Sequence, residues 1–560
     1  MNETLRQIAQ GSLRGSVTKN GALVWRGIPY AAPPIGPLRW KAPRPPGPWQ
    51  GELEALRDGA PSIQDLSLAQ PFADDDGDGL VGSEDCLYLN VFAPEGSAPG
   101  DALPVMYWIH GGGNVGGHNA SPTYEGSQLA QRHRVVVVGI NYRLGMFGWF
   151  LHPALIEPGA SPADRSGNWG TLDIIRGLEW VQDNIAAFGG DPRNVTAFGE
   201  SAGGLNVYSL LVSPRAEGLF HRAIVQSGGL HCESMASACN YSDEAEPGSV
   251  NSAREVVNRR LMRAGRAADR SSAKALQDAM SPADIAQLLR DLSPRELIEI
   301  VNPEKTRLYP APRLLADGAI LPAGSWMDAI AAGRFHKVPL ITGTNRDERR
   351  LYQFIDPRWR KTLREAPGDY VRYANYGTLA WKQRAVDDVA HAMWQAGHRE
   401  VYAYRFDWDE QGTIGSLDIS LAVGAGHSVE LPFVFGTTGG LTVPLGDPDA
   451  PGRRALSSSM MSYWAEHAYA GSPGRGRAGS EPEWSAWNDT EGEAKLMVFD
   501  TAADGGVRMS AEWISHAALK QAVLDERGFT SKQLHAQLYR GLFRDIDFRD
   551  DEYRKLAGEH

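Results

Sequence analysis

Asn194-Val195-Thr196-Ala197-Phe198-Gly199-Glu200-Ser201-Ala202-Gly203-Gly204 sets a serine between two glycines at the point where a short apolar run stops. Residues 195–198 read as a strand, and the run from Ala202 through Leu205, Val207 and Leu211 reads as a helix. A serine at so sharp a strand-to-helix turn takes a strained backbone conformation, and Gly199 and Gly203 leave room for strand and helix to cross closely. The pattern predicts a nucleophile elbow, with Ser201 Oγ exposed above a sheet and the first N–H groups and dipole of the helix facing it. A bare Gly-x-Ser-x-Gly also describes a glycine-rich turn with a surface serine, so a second signal is needed.

That signal lies upstream. Residues 104–109, Pro-Val-Met-Tyr-Trp-Ile, read as a buried strand that ends in His110-Gly111-Gly112-Gly113. Three consecutive glycines are costly in backbone entropy and make sense where the backbone itself must approach a ligand. The N–H groups of Gly112, Gly113 and Ala202 are therefore assigned as oxyanion donors.

With both motifs in place, the chain resembles the type-B carboxylesterase family of α/β-hydrolases, which includes bacterial and liver carboxylesterases and cholinesterases. The resemblance runs from about Gly11 to about Phe499 and rests on further segments: Arg26-Gly27-Ile28-Pro29-Tyr30-Ala31, Ser83-Glu84-Asp85-Cys86-Leu87-Tyr88-Leu89-Asn90-Val91, Asn141-Tyr142-Arg143-Leu144-Gly145, Gly167-Asn168-Trp169-Gly170 and the stretch from Asp183 to Pro192. Most of these carry no chemistry. Asn141, Arg143, Asn168 and Asp173 are expected to hold turns and buried polar networks.

The resemblance implies a triad in the chain order nucleophile, acid, histidine. In the polar turn Thr344-Asn345-Arg346-Asp347-Glu348 the acid matches Glu348, with Asp347 as its neighbour and competitor, because spacing alone does not separate them. Among His391, His398, His427, His467, His516 and His535, His427 lies in the glycine-bounded loop Gly424-Ala425-Gly426-His427 and matches the family's histidine loop. A carboxylate on its Nδ1–H would fix the tautomer while His427 takes the Ser201 proton and returns it to the leaving alcohol. Glu200, beside the nucleophile, and Ser227, in Val225-Gln226-Ser227-Gly228-Gly229, match supporting positions near the triad.

The 560 residues, 42% of them hydrophobic, are expected to form one elaborated domain spanning 1–560. The fold class implied is α/β: a mostly parallel central sheet flanked by helices, with strands near 104–109, 135–140, 195–198, 223–225, 338–342, 401–406 and 495–499. Helical insertions near 252–300 and 357–398 are expected to cap an active-site gorge.

Neither a signal peptide nor an apolar run of about 18 residues is read in the chain, so the expectation is a cytoplasmic protein, monomer or small homo-oligomer, without a membrane partner. A formal net charge of -12 argues against nucleic acid. Cys86 matches a family position that is often disulfide-bonded, but the partner expected near Ser62 is missing, so it reads as a free buried thiol. Cys232 and Cys239 either bridge a surface loop or stay reduced. The acidic run Asp74-Asp75-Asp76-Gly77-Asp78-Gly79 approximates a calcium loop but has no flanking helices and no terminal Glu, and reads as a solvated loop.

The expected activity is hydrolysis of a small-molecule carboxylic ester through an acyl-enzyme on Ser201, with no metal and no organic cofactor. An amide or carbamate hydrolase using the same triad is the alternative, and a non-catalytic binding member of the family a more distant one. Asn114 and His118 after the triple glycine are expected to make the rim of the site polar. The lack of a tryptophan between Ser62 and Cys86 argues against choline esters.

Overall fold

The computed structural model describes residues 3–65, 79–304, 313–439 and 446–559. The chain packs as two compact units, one of residues 1–121, 126–223 and 230–337, the other of 122–125, 224–229 and 338–560. The acidic run from Asp74 to Asp78 lies outside the described residues.

The first unit is built on strands β1 (Leu23–Pro29), β2 (Tyr88–Ala93), β3 (Leu103–Ile109), β4 (Val136–Ile140) and β5 (Gly190–Glu200). Their order is β5-β3-β4-β2-β1, parallel from β5 to β4 and antiparallel beyond it. Every residue of β3 and β4 is buried, which is why both read as continuous apolar runs instead of alternating ones. β5 begins five residues earlier than the sequence suggests. The strand passes through Asp191-Pro192-Arg193-Asn194 by a shift in register between Gly190 and Val195. Helix α1 (Trp169–Asn184) is buried along most of its length, and α2 (Ala202–Val212) throughout.

The polar signature residues do hold this unit together. Arg143 donates to both carboxylate oxygens of Asp173 at 2.7 Å and to the Lys41 carbonyl at 2.9 Å, with both side chains almost fully buried. Asn168 brackets Leu315, donating to its carbonyl and accepting from its N–H, both at 2.9 Å. Asn141 accepts from the Asn119 N–H at 2.8 Å. Cys86 is a free thiol facing Ser62, and burial pushes its pKa far up. Cys232 and Cys239 are also free.

The second unit contains β6 (Leu340–Asn345), β7 (Val401–Phe406) and β8 (Leu496–Phe499), parallel to one another, with β9 (Arg508–Ser510) antiparallel at the edge. Its helices include α3 (Glu348–Ile355), α4 (Pro367–Lys382), α5 (Asp388–Gln395) and α6 (Pro451–Ala470). Helices α7 (His516–Asp525), α8 (Lys532–Phe543) and α9 (Asp550–Ala557) end the chain. The stretches expected to be helical insertions are helical, the first as four helices between Ala253 and Val301. Among the described residues no helix is long and apolar enough to cross a membrane.

Two predictions follow from the buried polar groups. Removing one partner of the Arg143–Asp173 pair leaves an uncompensated buried charge, so Asp173→Asn should lower stability by about 3–5 kcal/mol in urea unfolding. Burial pushes the His110 pKa down to about 3 and that of His152 down to about 4. Both are neutral in the folded protein, whereas an unfolded histidine titrates near 6.5, so the unfolded chain takes up protons first as pH falls. Stability should be complete above about pH 6.5 and decline toward pH 4, the pair contributing about 3 kcal/mol per pH unit. Replacing His152 with Gln should halve that slope.

Candidate active site

Ser201 sits at φ 58° and ψ -120°, between the end of β5 and the start of α2. A Cβ added at Gly203 would lie 2.0 Å from the Ile109 carbonyl oxygen, and one at Gly199 2.6 Å from the backbone of Gly203. Side chains at either position would force strand and helix apart, so the two glycines are what allow the serine its strained turn.

The triple-glycine loop follows β3, the neighbour of β5, and packs on the elbow. A Cβ at Gly111 would come within 2.7 Å of Glu200 Oε2 and 3.1 Å of Ser201 Cβ. Gly112 and Gly113 have φ of 105° and 66°. Among the described residues, no group accepts a hydrogen bond from the N–H of Gly112, Gly113 or Ala202. Glu200 is buried at the end of the strand. His110 stacks on Tyr142 at 4.5 Å, and the Tyr142 hydroxyl donates to the His110 carbonyl at 2.7 Å, which pins the base of the loop.

Asn114 and His118 correct one expectation. Both are buried, 5% and 2% exposed, and so form no polar rim. The Asn114 carboxamide pairs with that of Asn206 and accepts from the Tyr142 hydroxyl, so its polarity is spent inside the unit.

In the second unit, Glu348 opens α3 and is fully buried. One carboxylate oxygen lies 2.5 Å from His427 Nδ1. The other accepts from the Asn345 N–H at 2.7 Å and from the Ser227 hydroxyl. Ser227 has φ 48°, and its N–H donates to the Gly343 carbonyl at 2.8 Å. Asp347, the neighbouring carboxylate, points elsewhere. It accepts from the Ala425 N–H at 3.1 Å and pairs with Arg346 and Arg350 at 3.0 and 2.9 Å, while its own N–H donates to the Ala425 carbonyl at 2.9 Å. Glu348 thus meets the imidazole, and Asp347 anchors the loop that carries it.

Three neighbours of this pair are given no role in the sequence reading. Asn345 donates to both the Gly426 carbonyl and Glu430, tying β6 to the histidine loop. Tyr352 and Trp381 pack on the imidazole with ring centroids 5.2 and 5.0 Å away. Tyr352 follows Glu348 by one helical turn, so the spacing i, i+4 was a usable cue. Nothing local marks Trp381. His391 lies on α5 and His467 on α6, the first bound to Asp489 at 3.1 Å and the second fully buried.

The chain matches the model of the carboxylesterase family over residues 2–384 and 379–506. It is 34% identical to the para-nitrobenzyl esterase of Bacillus subtilis (strain 168) over 517 residues, covering 87% of this chain and 93% of that one. It is 32% identical to the fumonisin B1 esterase of Sphingopyxis macrogoltabida, covering 90% and 87%. A Geobacillus stearothermophilus carboxylesterase superposes with a TM-score of 0.69 at 30% identity, covering 90% of this chain and 97% of that one. The chain belongs to the carboxylesterase family, carboxylic ester hydrolases with the α/β-hydrolase fold.

Proposed function

We propose that the protein is a serine carboxylesterase in which Ser201, His427 and Glu348 form the catalytic triad. The observation that carries this reading is the left-handed turn of Ser201 against a loop of glycine N–H groups with no acceptor among the described residues. Ser201 Oγ attacks the ester carbonyl and His427 takes its proton, while the N–H groups of Gly112, Gly113 and Ala202 hold the oxyanion. Collapse of the tetrahedral species breaks the bond to the leaving alkoxide, which takes the proton from His427. Water activated by the same imidazole then releases the acid from Ser201.

The short contact of Glu348 with His427 Nδ1 supports its role as the group that fixes the tautomer and balances the imidazolium. Ser227 and the Asn345 N–H keep that carboxylate aimed, and Glu200 braces the glycine loop from below. No cofactor or metal takes part. The helical stretches near 252–300 and 357–398 are read as walls of the entrance, a reading supported in the second unit by α4, which carries Trp381 to His427. The substrate is a small-molecule ester, and the protein acts as a monomer or small homo-oligomer. Three free thiols fit a cytoplasmic location.

Ser201→Ala should lower kcat on p-nitrophenyl acetate by about 10⁴-fold or more with the fold intact. Equal rates in the two proteins would refute the assignment. Glu348→Gln, which keeps the shape but supports the wrong tautomer, should cost about 10⁴-fold in kcat. Asp347→Asn should cost far less and should lower the melting temperature as its ion pairs are lost; steady-state kinetics and thermal unfolding of both variants separate the two carboxylates.

A further inference from the structure

We propose that Trp381 is a positioning residue for His427, and that the C-terminal helices α7 to α9 hold it in place. The proposal rests on the reading of His427 as the catalytic base. The bond from Nδ1 to Glu348 fixes one edge of the imidazole but leaves the ring free to tilt about that bond, which would swing Nε2 away from the nucleophile. Trp381 and Tyr352 remove that freedom. Their rings lie 38° and 36° from the imidazole plane and 6.0 Å from each other, one aromatic wall against the base. Arg349 covers Tyr352 at 5.3 Å. The Trp381 indole N–H donates to the Gly228 carbonyl at 2.7 Å, beside the serine that supports Glu348. One side chain therefore touches both the base and the backbone that holds its acid.

The wall is fixed from behind. Directly after Trp381 and Lys382 the helix widens into a π-turn over Gln383–Asp387. Its i to i+5 spacing sets the Lys382 ammonium 2.7 Å from Asp387, with both side chains buried. Asp387 also accepts from the Ile514 N–H at 3.2 Å. At the other end of α4, Asp369 accepts from the Thr530 N–H and hydroxyl at 2.9 and 2.6 Å and from the Ser531 N–H at 3.3 Å. Midway, the Tyr376 hydroxyl contacts the Ala522 carbonyl at 3.2 Å and Glu526 at 3.0 Å. Between these ties Ala380, Leu379 and Tyr373 of α4 pack into an apolar cluster with Leu519, Val523, Leu538 and Phe543. Everything in α7 to α9 lies past residue 506, where the match to the family model ends. A segment beyond the family match thus braces the helix whose last turn meets the base.

The test is kinetic. With p-nitrophenyl acetate, Trp381→Ala should lower kcat about 10- to 100-fold, as misplacing a catalytic group by about 1 Å does, and leave KM within about threefold. Trp381→Phe keeps a ring against the imidazole and should recover most of kcat. Asp369→Ala, far from the site, should lower kcat several-fold by the same split. Melting temperatures read alongside keep loss of fold apart from loss of alignment. An unchanged kcat in Trp381→Ala, a loss carried by KM, or no recovery in Trp381→Phe would overturn the proposal while the wild type stays active. Absence of Ser201-dependent hydrolysis in the wild type would instead bring down the reading of the site on which it stands.

Discussion

The crossing of β5 and α2 is the constraint on which the rest of the site depends. With Gly203 so near the Ile109 carbonyl that no Cβ fits, the helix starts directly above the strand, and the one residue between them has to take a left-handed conformation. That residue is Ser201. The same close approach brings the loop after β3 against the elbow, so backbone N–H groups from two neighbouring strand ends gather at one place. A strained serine costs stability, and the buried polar network around Arg143, Asp173, Asn141 and Asn168 belongs to the unit that bears that cost.

The second unit answers a different problem, which is how to hold an imidazole in one orientation at a loop. Its solution is layered. Glu348 fixes one ring nitrogen, Ser227 and Asn345 fix Glu348, and Asp347 clamps the loop through Ala425. Adjacent carboxylates with opposite tasks explain why the two could not be told apart by spacing. One starts helix α3 and faces the His427 imidazole, while the other is turned toward arginines and the backbone.

Most of the fold and much of the site were legible in the sequence because their cues are local. The elbow, the triple glycine and the glycine-bounded histidine each announce themselves within a few residues, since each needs special backbone geometry. What was not legible depends on residues far apart in the chain. Trp381 lies in an ordinary amphipathic helix, and its meeting with His427 is made by tertiary packing. Asn114 misled for the same reason, since its position after the glycines suggested a rim, whereas its pairing with Asn206 takes it inside. The early start of β5 escaped because residues 191–194 lie outside the apolar run that begins at Val195, and a register shift absorbs them.

The central claim is that an acyl group passes through Ser201. The direct measurement is peptide mass spectrometry of the protein acid-quenched during turnover of p-nitrophenyl acetate. An acetyl group on the peptide carrying Ser201, absent from the His427→Ala variant, is the predicted result. Acetyl label at another residue, or continuing hydrolysis without label on Ser201, would contradict the account.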